Sequence, residues 1–167
     1  MPPKSNRPAG KFGRSPELPP LWRCPKCGHK FVTRNIWHSC SRYTLEYHFK
    51  YSDPLVRKSF NRFLAVVRRC GPVTVVPQKT RIVFMVRMRF GGGCVRKHWF
   101  DAGLLLHRRA SHPRLDRVTF YPPYYYGHHF LLEKPSDVDG GIAALARESY
   151  AIGCQRQLGR KAKGRRE

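Results

Sequence analysis

The sequence predicts an α+β fold: an antiparallel sheet of four to five strands with two flanking helices, preceded by a small knuckle rich in cysteine and histidine. Three observations predict it. Apolar residues recur at helical spacing over residues 53–71, they alternate with polar residues from Val73 onward, and a second helical pattern fills residues 136–153. We expect four segments along the chain: a disordered basic arm (1–21), the knuckle (22–45), the α+β domain (46–158) and a basic tail (159–167).

The first helix is predicted in "SDPLVRKSFNRFLAVVRRCG". Asp53 is a suitable N-cap, Pro54 suits the first helical position, and Gly71 ends the pattern. The buried stripe of this helix is expected to consist of Val56, Phe60, Phe63, Leu64 and Val67.

A β-hairpin is predicted next. In "RIVFMVRMRF" the even positions, from Ile82 to Phe90, are apolar, whereas arginines occupy several odd positions. One face of this strand is therefore expected in the core, and the other is expected to be basic. Glycines 91–93 predict a turn, and "HWFDAGLLLHRRA" alternates again as the returning strand. A phosphate-binding P-loop would need a downstream Gly-Lys-Ser/Thr, which the sequence lacks.

Two more strands and a second helix complete the predicted domain. The segments "RVTFY" and "HHFLL" predict short strands. In "SDVDGGIAALARESYAIG", Ser136 is the expected N-cap and Gly153 the expected stop. We expect both helices to cover one face of the sheet and to leave the other face open.

The stretch "WRCPKCGHKFVTRNIWHSC" combines two pairs of metal-ligating residues. Its spacing, C-x2-C-x10-H-x-C, is shorter than that of a C2H2 finger and predicts a closed tetrahedral zinc site. A closed site leaves no position for water, so the zinc is expected to be structural rather than catalytic. The predicted ligands are Cys24, Cys27, His38 and Cys40, with His29 and His48 as weaker substitutes for the fourth ligand and Phe31, Ile36 and Trp37 as a small apolar cap. Ordinary thiols without metal are the alternative.

Charge is the second functional signal. The chain has 33 Lys and Arg against 10 Asp and Glu, a formal net charge of +23, which favours association with polyanions. We therefore expect nucleic acid, DNA or RNA, as the partner, while a protein partner stays open. The expected contacts to nucleic acid are Arg81, Arg87, Arg89, Arg96, Lys97, Arg108 and Arg109.

Membrane and export signals do not stand out in the sequence. No apolar run approaches the ~18 to 20 residues that a membrane span requires, and the N-terminal sequence lacks the apolar segment of a signal peptide. No membrane partner is therefore expected. Cys70, Cys94 and Cys154 are scattered singly, which is typical of a reducing compartment, so we expect a cytoplasmic protein.

No catalytic set stands out either, and a non-enzymatic protein is favoured. The acids of the main domain are scattered, and Asp101 near His98 or His107 lacks the Gly-x-Ser-x-Gly elbow of a serine hydrolase. The adjacent His128 and His129 point to opposite faces of a strand, so only one of them joins a given site. Two alternatives stay open: a protein-interaction module on the open sheet face, and a pocket that binds or processes a small anionic ligand and is lined by Arg87, Arg89, His107 and His129.

Several segments together resemble a bacterial protein family. They are "WRCPKCGHKF", "RNIWHSCSRYT", "GPVTVVPQKTRIVFMVRMRF", "HPRLDRV", "HHFLL" and "ESYAIGCQRQL", and they span about residues 22–158. The chain resembles small uncharacterised proteins with a domain of unknown function that is sometimes preceded by such a zinc knuckle, and this domain is similar to YdhG-like domains. The resemblance implies a small α+β sandwich of an antiparallel sheet with helices, and it implies no particular reaction.

Overall fold

The computed structural model describes residues 18–40 and 42–156, and the α+β prediction is confirmed. Most of the predicted basic arm and all of the predicted basic tail lie outside these residues. The helices are α1 (Leu45–Phe49), α2 (Pro54–Arg68) and α3 (Gly140–Gly153). The strands are β1 (Trp22–Arg23), β2 (Lys30–Phe31), β3 (Thr74–Pro77), β4 (Ile82–Met85), β5 (Arg89–Val95), β6 (Phe100–Leu106), β7 (Leu115–Tyr121) and β8 (Tyr125–Leu132). None of the described helices has the length and apolar character needed to cross a membrane.

A six-stranded antiparallel sheet forms the body of the protein, with the strand order β3-β4-β5-β6-β8-β7. It has one strand more than the upper limit expected from the sequence, because the predicted strand over residues 81–90 breaks at residues 86–88 into β4 and β5. The hairpin of β7 and β8 joins the sheet through β8, which pairs with β6. The short strands β1 and β2 pair separately in the knuckle.

The alternation of side chains along β6 defines the two faces of the sheet. Every second residue of β6, from Phe100 to Leu106, is buried in the hydrophobic core. The intervening residues Asp101, Gly103 and Leu105 belong to the opposite face. The same alternation in β4 and β8 extends the core across the sheet.

Helix α2 begins and packs as its sequence predicts. Asp53 is the N-cap residue, and Pro54 is the first helical residue. The whole predicted stripe is buried in the core: Val56, Phe60, Phe63, Leu64 and Val67. The Asp53 carboxylate forms no cap hydrogen bond but lies 2.6 Å from His98 Nδ1, which ties the start of α2 to the turn between β5 and β6.

Helix α3 packs on the same face of the sheet as α2, so the opposite face is left open as expected. This open face is the face that carries Asp101 and Gly103. The prediction of Ser136 as the N-cap is wrong. Asp139 caps α3 by accepting from the Ile142 amide, because residues 135–137 form a separate 3-10 turn before the helix.

The Ser149 hydroxyl joins α3 to the sheet. It is buried, donates to the Phe90 carbonyl at 2.7 Å and accepts from the Leu105 amide at 3.0 Å. Regular pairing of β5 with β6 begins at the next pair, Gly91 with Leu104. The hydroxyl therefore takes the place of a direct bond between the two strands and satisfies both backbone groups where the strands diverge.

The predicted glycine turn is wrong. Residues 91–93 lie inside β5 and are paired on both sides, and the turns fall at residues 86–88 and 96–99. A Cβ added to Gly92 would lie 2.1 Å from the Ile82 carbonyl oxygen, and Gly92 has a φ of +135°. Glycine is required there because β4 runs so close to β5.

We expect Phe84→Ala to lower the free energy of unfolding by about 3–5 kcal/mol, because the Phe84 ring is fully buried against Phe63 of α2. The control Arg81→Ala removes an exposed side chain beside the same strand and is expected to cost less than about 1 kcal/mol. Urea denaturation of both variants measures the difference. Equal losses would contradict the assignment of the two sheet faces.

Candidate metal centre and open sheet face

Four side chains of the knuckle converge on one point. Their ligand atoms, three cysteine sulfurs and one histidine nitrogen, all lie within 4.8 Å of one another. The residues are the predicted set, Cys24, Cys27, His38 and Cys40, and they are positioned to hold a metal ion. The weaker candidates His29 and His48 are not part of this group.

Three distances within the cluster are close to those of a tetrahedral zinc site. Cys24 Sγ lies 3.8 Å from Cys40 Sγ. His38 Nε2 lies 3.3 Å from Cys27 Sγ and 3.4 Å from Cys40 Sγ. Sulfur and nitrogen ligands at ~2.3 and ~2.0 Å from one zinc would be about 3.8 Å (S to S) and about 3.5 Å (S to N) apart. His38 Nδ1 donates to the Ile36 carbonyl at 2.8 Å, which turns the Nε2 lone pair toward the sulfurs.

The backbone of the first ligand pair forms a tight turn between β1 and β2. The Gly28 amide donates to the Cys24 carbonyl, and the Cys24 amide donates to the His29 carbonyl. Gly28 has a φ of +76°, a conformation that glycine adopts without strain. The turn therefore places Cys24 and Cys27 on the same side of the knuckle.

Aromatic rings pack around His38, the histidine of this cluster. The ring centroid of Phe31 lies 4.4 Å from that of His38, and Trp22 packs edge-on against the same imidazole. The predicted apolar cap is right for Phe31 but wrong for the other two residues, since Ile36 is 41% and Trp37 92% exposed. Trp22, which precedes the first cysteine, takes their place in the cap.

The thiols of Cys24 and Cys40 differ in how readily they ionise. A hydrogen bond from the Cys27 backbone amide lowers the pKa of Cys24 to about 6, which favours its thiolate form. Burial and the neighbouring Cys24 sulfur raise the pKa of Cys40 to about 11. A bound metal cation would offset the cost of burying the Cys40 thiolate and would stabilise the thiolate form of each cysteine.

Acidic side chains are segregated from many of the cations. Glu17 and Glu167 lie outside the described residues, and every other acid of the chain contacts an arginine or a histidine. Those partners are Arg57, Arg108, Arg114, Arg117, His98, His112 and His129. Within the described ranges, the cations that have no carboxylate partner include Arg23, Lys26, Lys30, Arg34 and Arg42 of the knuckle, and also Arg81, Arg89, Arg96 and Lys97.

The seven predicted nucleic-acid contacts do not share one surface. Arg81, Arg89 and Arg96 line the open face, and Lys97 lies in the turn after β5, where its carbonyl accepts from the Asp53 amide. The other three arginines contact neighbouring side chains: Arg87 donates to the Gln155 side-chain amide, Arg108 donates to the Glu148 carboxylate, and Arg109 lies over the Tyr126 ring. The structure therefore brings only Arg81, Arg89 and Arg96 together on one surface.

The open face carries a concave cavity of about 450 Å³. Glycines of three neighbouring strands form its floor: Gly92 of β5, Gly103 of β6 and Gly127 of β8. Side chains that line the cavity include Arg81, Arg89, Arg96, Arg117, Tyr121 and Tyr125. The floor lacks a covering side chain at Gly103, whereas the Tyr121 ring lies over Gly127 and Leu105 lines the cavity beside it.

Two of the lining arginines repel one another. Desolvation and the positive charge of Arg81 lower the pKa of Arg89. No carboxylate among the described residues contacts either guanidinium. This part of the cavity is therefore an uncompensated positive site, and a bound anion would relieve the repulsion.

Asp101 is a buried carboxylate within this cationic cavity, with its side chain 6% exposed. Arg117 Nη2 donates to Asp101 Oδ2 at 2.9 Å and to His129 Nδ1 at 3.1 Å. Although burial raises the pKa of Asp101, the contacts with His129 and Arg117 hold it below its ordinary value. Asp101 Oδ1 lies 3.4 Å from His129 Nδ1 but has no hydrogen-bond partner in the described part of the chain. The carboxylate is thus ionised and only half satisfied.

The contact between Asp101 and His129 lies outside the sequence prediction, which considered His98 and His107 as neighbours of Asp101. Those two histidines contact other groups. As strand alternation predicts, His128 is buried while His129 lines the cavity. The missing information was the pairing of β6 with β8, which nothing in the local sequence reveals.

The chain matches no family model, no curated protein and no solved structure. The resemblance to the domain family that is similar to YdhG-like domains therefore stays a prediction.

Proposed function

We propose that the chain is a non-enzymatic nucleic-acid-binding protein in which a structural zinc ion holds the knuckle, and cations of the knuckle and the open face contact phosphates. The segregation of charge carries this proposal. The described carboxylates pair with one set of arginines and histidines, whereas the knuckle and the open face keep cations without a described carboxylate partner. Such cations are available to phosphates, and their binding is driven by the release of condensed counterions.

The knuckle supports the proposal independently. Its sequence contains no acidic residue, and its lysines and arginines are exposed. Trp37 is almost fully exposed and lies in the same loop as Arg34. An indole ring stacks well on a nucleic-acid base, and an arginine beside it suits the neighbouring phosphate.

The zinc is proposed to be structural. Four protein ligands complete a tetrahedron and leave no position for a reactive water. The paired strands of the knuckle are two residues long each, so it buries too little apolar surface to fold alone. Metal binding would supply the missing free energy of folding for this segment.

A pocket for a small anionic ligand is the second candidate, and the cavity favours it. Of the four residues expected to line such a pocket, Arg89 and His129 line the cavity, whereas Arg87 and His107 do not. The volume of about 450 Å³ lies in the range of small-molecule sites. A nucleic-acid strand and a small anion would contact the same arginines. Nucleic-acid binding predicts a preference for a long ligand, whereas a small-ligand pocket predicts a preference for a short one.

We expect one zinc per chain, and we expect Cys27→Ser to release it, because removal of one thiolate leaves an incomplete tetrahedron. Metal analysis of protein purified without chelator measures the stoichiometry. Cys70→Ser is the matched control, since Cys70 is a free thiol outside the cluster whose sulfur contacts the Val66 carbonyl. Metal-free wild-type protein, or equal zinc loss in both variants, would contradict the assignment.

Binding to nucleic acid is expected to weaken by roughly 10³-fold between about 50 and 200 mM salt, because several neutralised phosphates release their counterions. Two double variants locate the contacts: Lys30→Ala with Arg34→Ala in the knuckle, and Arg81→Ala with Arg89→Ala on the open face. Each pair is expected to reduce the slope of log affinity against log salt by about 1.4–1.8, the value for two lost phosphate contacts. Fluorescence anisotropy across a salt series measures the slope.

A third double variant controls for the loss of net charge. Arg57→Ala with Arg108→Ala removes two positive charges that already pair with Glu46 and Glu148, so the slope is expected to change much less. Equal effects of all three double variants would mean that net charge alone drives binding. Salt-independent binding, or no binding, would refute the proposed function.

A further inference from the structure

We propose that the cavity on the open face seats one unstacked nucleotide of a single strand, with its base over the glycine floor and its phosphate against Arg81 and Arg89. This inference rests on the proposed nucleic-acid function and specifies that the preferred ligand is single-stranded. Four features of the cavity support it: the uncovered floor at Gly103, the adjacent tyrosines, the two arginines without a carboxylate partner among the described residues, and the Asp101 carboxylate, of which one oxygen accepts no hydrogen bond.

The floor of the cavity has room for a flat ring. A Cβ added to Gly103 would meet only one described atom within 4 Å, the Gly92 carbonyl oxygen at 3.8 Å. A strand interior normally carries a branched or aromatic side chain at such a position, and glycine weakens the strand. The space that this side chain would fill is open to a ligand that lies against the backbone.

Two tyrosines stand beside this floor. Tyr121 and Tyr125 pair across the β7–β8 hairpin, and both line the cavity. The Tyr121 ring lies over Gly127, where an added Cβ would come within 2.6 Å of the ring. An aromatic surface next to an empty floor suits a base of any sequence, since every base has a π-face that stacks.

The polar groups distinguish a nucleotide from a bare anion. Arg81 and Arg89 form an uncompensated positive site for a phosphate. Asp101 Oδ1 accepts no hydrogen bond from the described residues, although His129 Nδ1 lies 3.4 Å away, and the Watson–Crick edge of an unpaired base supplies N–H donors. A bare anion would satisfy the two arginines but has no N–H donor to offer, so Asp101 Oδ1 would stay unpaired.

A duplex cannot use the cavity in this way. Its bases are stacked, and their Watson–Crick edges are already paired. The cavity volume of about 450 Å³ is that of a site for one small ligand, which matches a single nucleotide. The open face is therefore expected to discriminate between a single strand and a duplex of the same sequence.

Gly103→Val tests this inference by filling the cavity without changing any charge. The added Cβ has room and valine favours strands, so the melting temperature is not expected to fall. Gly140→Ala is the matched control, because Gly140 begins α3 on the covered side of the sheet and its added Cβ would meet nothing within 4 Å. Gly103→Ala is a milder variant to be used if the valine disturbs folding.

Fluorescence anisotropy with the full chain compares a single strand of about 12 nucleotides, its blunt duplex, and the same strand made of abasic sites. For the wild type and for Gly140→Ala, the intact strand is expected to bind about ten-fold tighter than the duplex or the abasic strand, an effect typical of one stacked base. For Gly103→Val we expect this ten-fold preference to be lost while binding to the duplex is unchanged.

The inference is overturned if Gly103→Val binds the intact strand as tightly as Gly140→Ala does, or if the abasic strand binds the wild type as tightly as the intact strand. Either result leaves the proposed function in place as long as binding depends on salt. If the wild type binds neither the strand nor the duplex, the proposed function fails and this inference fails with it.

Discussion

Alternate residues of β6 have to satisfy two different environments. One set packs beneath α2 and α3 and is apolar throughout, while the other set faces the cavity. Because β6 pairs with β5 on one side and β8 on the other, its register fixes what lies beside each open-face position. Gly103 is thereby placed between Gly92 and His129, and Asp101 lies next to Cys94 of β5. The core and the cavity are two consequences of the same pairing.

Features that depend on neighbouring residues could be predicted from the sequence, and features that depend on strand pairing could not. The apolar stripe of α2 and the four metal ligands follow from spacing within about twenty residues. The glycines at 91–93 were expected in a turn because glycine favours turns, yet they serve close packing between strands that the sequence does not identify. The contact of Asp101 with His129 likewise depends on the pairing of β6 with β8.

The net charge of the chain shows how many cations there are, but it does not show which of them are available. Arg108 and Arg89 look alike in the sequence, both lying at the basic end of an apolar strand. In the structure Arg108 forms two hydrogen bonds with Glu148, whereas Arg89 lines the cavity and contacts no carboxylate of the described residues. A carboxylate that is distant in the sequence thus neutralises one arginine and leaves the other available to a ligand.

Gly103 also bears on any attempt to make the protein more robust. A glycine within a strand destabilises the fold by roughly 0.5–1 kcal/mol relative to alanine, and the neighbours of Gly103 leave space for a larger residue. Directed evolution under heat selection alone would therefore favour replacements at this position. Gly92 on the neighbouring strand cannot be replaced in this way, because an added Cβ would collide with the Ile82 carbonyl. Selection for stability alone would replace Gly103, and the new side chain would fill the cavity. Fold stability and access of a ligand to the cavity therefore make opposite demands on this one residue.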